Sequence, residues 1–182
     1  VFIPFSPTSI PTAIVVENQF GSSVPQLLRD QVNAKSIGWT LDISSEPTIE
    51  PNEIQIQWVY ALVAPFPTIR DDVTFTELRA VWSGETTRTL LMAESTLAAF
   101  KALWGEPASG SVRSVEDSRG GVTPSLLDTA WAESAWAIIP FEDIVPRWKV
   151  LTIDGQSPIR KGFDLTNYPL VAQFTLQASG TT

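Results

Sequence analysis

The chain has 182 residues, 43% of them hydrophobic and 18% charged, which is the composition of a folded globular protein with room for one good core or two small lobes sharing a seam. Its formal charge of −8, with no run of Lys or Arg, excludes nucleic-acid binding through an electrostatic footprint. Histidine and cysteine are both absent, which removes Cys and Ser–His nucleophile chemistry and the usual zinc, copper and haem ligands, and leaves carboxylates, Lys, Tyr and hydroxyls.

Seven Trp and nine Phe point to an aromatic interior or an aromatic-lined cleft. No apolar run approaches the ~20 residues of a membrane span, and no basic segment followed by an apolar one opens the chain. The start at VFIPFSPTSIPT and the end at ASGTT have the look of a domain excised from a longer chain.

Pro4, Pro7 and Pro11 keep the first residues extended as an edge strand or lead-in. Thr12–Glu17 is short and β-branched, hence a strand. Gly21-Ser22-Ser23 then opens a helix in which Val24, Leu27, Leu28 and Val32 share a face, with Ser23 as the N-cap. Gly38–Ile43 is the next strand, and together these segments read as a β-α-β unit of a parallel sheet.

Glu53–Pro65 alternates at Ile54, Ile56 and Trp58 and then turns continuously apolar, the pattern of a strand covered on both faces. Thr74–Trp82 is a helix with Thr74 and Glu77 spaced as a capping box. Thr89–Ala93 is a strand running through Glu94-Ser95-Thr96 into the helix LAAFKALW, which Gly105 ends. Pro107–Gly121 is a glycine-rich mobile loop holding a short strand at Ser111–Val115. Thr123–Ala132 is a helix capped by Thr123 with Pro124 first. Ala135–Phe141, Trp148–Asp154 and Tyr168–Gln177 are strands, with a loop at Gly155–Asn167. Alternating strands and helices make the fold class α/β.

Two places put paired hydroxyls where a strand delivers the chain to a helix: Ser22 and Ser23, and Ser95 and Thr96. Unpaired N–H groups and the positive end of the helix dipole make such a place suited to an oxyanion, although one hydroxyl suffices for ordinary capping. Arg70 and Arg119 lie in polar loops from which a guanidinium can reach a phosphate or carboxylate. The pairs Glu116-Asp117 and Glu142-Asp143 are adjacent in sequence and point apart, which suits acid/base work poorly. Asp154-Gly155 is foremost a turn signal.

Several segments together resemble the type II periplasmic, or extracytoplasmic, solute-binding proteins, particularly the branch that binds phosphate, tungstate and similar oxyanions. They are the Gly21-Ser22-Ser23 turn, Tyr60–Gly84, Glu94–Gly105, Lys149–Ile159 and Tyr168-Pro169-Leu170, in order over roughly residues 12–177. The resemblance implies two small α/β lobes joined by two crossing strands, lobe 1 at about 1–66 with 142–182 and lobe 2 at about 67–141. It implies a non-enzymatic module outside the cytoplasm that holds a small anion or polar metabolite between the lobes, without a cofactor or metal. Ser22, Ser23, Ser95 and Thr96 would donate to the ligand and Arg70 or Arg119 would balance its charge.

Ala135–Pro158 is also similar to the segment preceding the catalytic domain of CapA-type capsule or poly-gamma-glutamate synthesis proteins. From this comes a second expectation, a structural or interaction module joined to a catalytic domain, its pocket degenerate and filled by side chains such as Phe20 and Leu97. A carbohydrate-active enzyme with two carboxylates in one pocket is the third.

Overall fold

A computed structural model describes residues 39–43, 53–115 and 125–178. The expected strand at Thr12–Glu17, the helix after Ser23 and the start of the helix at Thr123 lie outside the described residues. The elements are β1 (Trp39–Ile43), β2 (Glu53–Pro65), β3 (Asp72–Val73), α1 (Phe75–Trp82), β4 (Leu90–Ala93), α2 (Glu94–Trp104), β5 (Val112–Val115), α3 (Leu126–Glu133), β6 (Trp136–Pro140), β7 (Trp148–Val150), β8 (Thr152–Ile153) and β9 (Val171–Ala178).

One mixed sheet runs β1-β9-β2-β6-β4-β5, with β7 also paired to β2. β2 organises it. Residues 53–59 of β2 pair antiparallel with β9, while Tyr60–Val63 pair antiparallel with β6 and Val63–Pro65 with β7. The continuous apolar run from Tyr60 is buried on both faces because alternate side chains enter different cores. Tyr60, Leu62 and Ala64 join one cluster and Ala61 and Val63 the other.

The strand order explains the layers. β4 lies between β5 and β6 and is parallel to both. The chain therefore steps outward from β4 to β5 and back across β4 to β6, and right-handed crossovers in opposite directions require helices on opposite faces. Accordingly Ala99 and Phe100 of α2 pack in one cluster with Leu78, Val81 and Trp82 of α1, and Ala130 of α3 packs in the other.

The capping box of α1 is complete, with Thr74 and Glu77 exchanging side-chain and backbone bonds. Asp154 adds to it from the turn after β8, both carboxylate oxygens accepting the Phe75 N–H at 3.3 Å. Asp154 and Gly155 have φ of 48° and 76°, as a two-residue hairpin turn requires, so the Asp-Gly signal marks a turn that also closes a helix end.

Several expected boundaries move for physical reasons. The strand at Gly38–Ile43 pairs antiparallel with β9, so its described neighbour is not the parallel partner of a β-α-β unit. Trp148–Asp154 divides at Leu151, whose N–H goes to Leu62 O before Thr152–Ile153 turn to pair with β3. The last strand begins at Val171, after Pro169, which has no N–H to give a ladder. Ser125, not Thr123, caps α3, its hydroxyl accepting the Asp128 N–H. Phe141 leaves β6 to open a 3₁₀ turn. The short strand within Pro107–Gly121 is β5.

Gly84 follows α1 with φ of 75°, and a Cβ there would meet the Ala108 Cβ at 2.7 Å. Gly84→Ala is expected to cost about 2–3 kcal/mol from left-handed strain and overpacking, read as a lower urea midpoint at unchanged slope. A second expectation concerns pH. The Arg70 guanidinium, followed by the Thr74 backbone, holds the Glu77 carboxyl down at about 2. A carboxyl depressed in the folded state stabilises the fold above its unfolded value and loses that contribution as pH falls through the folded one. The Tm gap between wild type and Glu77→Gln should be full at neutral pH and close between pH 4.5 and about 2.

Candidate functional site

The carboxyl ends of β4 and β6 are neighbours, and the chain leaves them in opposite directions. β4 passes directly into α2 toward β5, and β6 turns through Phe141–Asp143 toward β7 beside β2. Such a divergence opens a crevice at the carboxyl edge of an α/β sheet. It coincides with the place where β2 exchanges β9 for β6, between Val59 and Tyr60.

β4 runs into α2 with no loop, so the helix begins at Glu94 with Ala93 as its N-cap and no side-chain capping bond. The hydroxyls expected ahead of the helix therefore fall at its second and third positions. Ser95 and Thr96 are buried, Thr96 to 1% exposure, and Thr96 Oγ1 has no hydrogen-bond partner. The first-turn N–H groups of a helix lack intrahelical acceptors and carry the positive end of its dipole.

Tyr60 completes the arrangement. Its ring meets Phe100, one turn along α2 from Thr96, edge-on at 5.1 Å, and its hydroxyl is fully buried without a partner. Burial, followed by the negative charge of Glu142, pushes that phenol far above its ordinary range, so it is a neutral donor. Glu142 itself accepts the Trp58 indole N–H at 2.9 Å. Three adjacent strands thus bring two unpartnered hydroxyls, a helix N-terminus, an indole and a carboxylate to one sheet end.

Of the residues expected from sequence, Ser95 and Thr96 stand here. Ser22, Ser23 and Arg119, with Phe20, lie outside the described residues. Arg70 is elsewhere: its guanidinium holds Glu77 at 2.7 Å and the Asp72 carbonyl at 2.6 Å, and lies 5.6 Å from the ring centre of Trp136. Trp136 opens β6 whereas Pro140 closes it, which puts about 13 Å of strand between Arg70 and the crevice. Leu97 packs against the core from α2. Sequence reasoning did not assign Tyr60 or Trp58 to a site, and it read Glu142 only as half of an adjacent carboxylate pair. The available signal was the apolar run of β2, whose two buried faces make a hydroxyl at its start costly unless something binds it.

No protein-family model and no curated protein matches the chain. Among solved structures, an ABC-type phosphate transport receptor from Vibrio cholerae is similar with a TM-score of 0.57 and 11% identity, over 84% of this chain and 72% of that one. A phosphate ABC transporter substrate-binding protein from Clostridium perfringens, with bound phosphate, is similar with a TM-score of 0.52 and 11% identity, over 84% of this chain and 70% of that one. The fold is type II periplasmic-binding-protein-like. Identity this low establishes the fold alone. At the crevice described above β2 touches α2 through Tyr60 and Phe100 and the turn after β6 through Trp58 and Glu142. Among the described residues no helix is long and apolar enough to cross a membrane, and no three acidic residues group to hold a metal ion.

An unsatisfied buried hydroxyl costs about 1–3 kcal/mol. Thr96→Val removes it at nearly constant shape, so the ligand-free variant should be more stable by about 1 kcal/mol or more, a Tm rise of about 2–4 °C for a chain of this size. Chemical denaturation of the two proteins checks this.

Proposed function

We propose that this chain is a non-enzymatic solute-binding module that takes a small anion or polar metabolite at the crevice formed by β2, β6 and the N-terminus of α2. The observation that carries it is the pair of buried, unpartnered hydroxyls, that of Tyr60 on β2 and that of Thr96 in the first turn of α2, whose N-cap residue Ala93 makes no side-chain bond. Neutral donors at the positive end of a helix favour oxygen acceptors. The likeness in fold to a phosphate transport receptor and to a substrate-binding protein with bound phosphate supports the same class of ligand.

In this reading Ser95, Thr96 and Tyr60 donate to the ligand, and Ser22 and Ser23, outside the described residues, are assigned to it as further donors. Glu142 brings a negative charge to the same end, so an anion needs an arginine to balance it. Arg70 is engaged with Glu77, and Arg119 takes that part. The division into lobes, about 1–66 with 142–182 against about 67–141, belongs to the same proposal, as does a place outside the cytoplasm.

One observation favours a second reading. Tyr60 and Phe100 are wholly buried and Leu97 packs against the same cluster, so aromatic and aliphatic side chains make up much of the surroundings of the two hydroxyls. A module of this fold with a degenerate pocket, serving as a structural part of a CapA-type capsule or poly-gamma-glutamate synthesis protein, would have this character.

Thermal shift distinguishes the two. Phosphate, sulfate, tungstate, amino acids and sugars are titrated separately. A ligand at 100 times its dissociation constant is expected to add about 2.7 kcal/mol, or about 5–10 °C in Tm, and Thr96→Val should abolish the shift. No shift with any of these solutes would favour the structural module.

A further inference from the structure

Away from the crevice, the seam between α1 and α2 contains two buried donors with no acceptor, Nη1 of Arg79 and Nε1 of Trp82. They are three residues apart on α1 and so share one of its faces. Both flank Trp104 of α2. The Arg79 guanidinium carbon lies 5.1 Å from the Trp104 ring centre, and the Trp82 ring meets Trp104 edge-on at 5.2 Å.

Five other cations in the described residues have carboxylates: Arg70 with Glu77, Lys101 with Glu106, Arg113 with Glu133, Arg147 with Asp128 and Lys149 with Asp71. No ion pair or side-chain hydrogen bond of Arg79 is found among the described residues, although acids outnumber bases 20 to 12 in the chain. Stacking on an indole favours a guanidinium but satisfies none of its N–H groups, and a buried donor left unpaired carries a desolvation cost.

We propose that this seam is a second ligand site, separate from the crevice, that receives a small oxyanion, either a free phosphate or a free carboxylate ion. The planar fork of Arg79 presents paired donors to two oxygens of such an ion. The Trp82 indole adds a third donor. Because Trp82 is only 2% exposed, the ion must be compact and must enter beside the Arg79 side chain. The Trp104 face under the guanidinium fixes its plane before the ion arrives.

The test follows the indole N–H resonances of the ¹⁵N-labelled protein, with Trp82→Phe identifying the Trp82 signal, during separate titrations with sodium phosphate, sodium acetate and sodium chloride. Saturable movement of the Trp82 signal with phosphate or acetate, and not with chloride, is expected at millimolar concentrations. Arg79→Gln should weaken that response at least about tenfold, the loss of one charge-assisted bond. A response to phosphate alone or acetate alone identifies which ion the site prefers. The proposal is overturned if the signal stays fixed, if chloride moves it equally, if Arg79→Gln leaves the response unchanged, or if the indole proton exchanges magnetisation with a bound water that neither ion displaces. Thr96→Val is expected to retain the Trp82 response, so failure of this site and failure of the crevice are read separately.

Discussion

The architecture depends on a single strand being buried twice. From Tyr60 to Ala64, β2 gives alternate side chains to two cores, and along its length it exchanges one set of strand partners for another. A strand with one wet face could not do this, because the polar residues alternating along it would have to enter one of the cores. The cost of continuous apolarity is that any polar group in the run is conspicuous. Tyr60 is that group, and it sits where the pairing changes.

The crevice follows from how abruptly β4 becomes α2. The last residue of β4, Ala93, is itself the N-cap and has no side-chain acceptor to offer the first turn, and the hydroxyls that follow are carried inside it. A loop one or two residues longer would have turned Ser95 or Thr96 into an ordinary cap, which is what the sequence around them suggests on its own. An uncapped N-terminus at a sheet's carboxyl edge retains its unpaired donors and its field. By contrast α1, with a complete capping box and the Asp154 carboxylate on its first N–H, has spent its N-terminus on stability.

Much of this was legible in the chain. Glu53–Pro65 was readable as a doubly covered strand because continuous apolarity has few other meanings at that length, and Thr74 with Glu77 fixed the start of α1 by a spacing with one mechanism. What was not legible depends on pairing between distant segments. The break at Leu151 arises because the chain exchanges β2 for β3 as partner, and no local signal records which strand lies alongside. The cap of α3 fell at Ser125 and not Thr123 because both are good caps and only the tertiary path chooses between them. Arg70 was visible as a loop arginine, but its engagement with Glu77 is a product of how the chain turns into α1. Glu142 looked like half of an adjacent pair, and only the register that sets Tyr60 against Pro140 puts it beside Trp58.

The aromatic residues supply the last step. Tyr60, Phe100, Trp104 and Trp82 form a continuous series of edge-on ring contacts, at 5.1, 4.7 and 5.2 Å, from the crevice to the α1–α2 seam. Each end of the series carries an unpartnered buried donor. Contact alone does not couple two places, since coupling needs an element with two arrangements that both places bias. Helix α2 spans the two places, its 11 residues about 16 Å long, with Thr96 near one end and Trp104 at the other. The aromatic interior that composition alone suggested is therefore a packed connection between the two ends of one helix, as well as ordinary core.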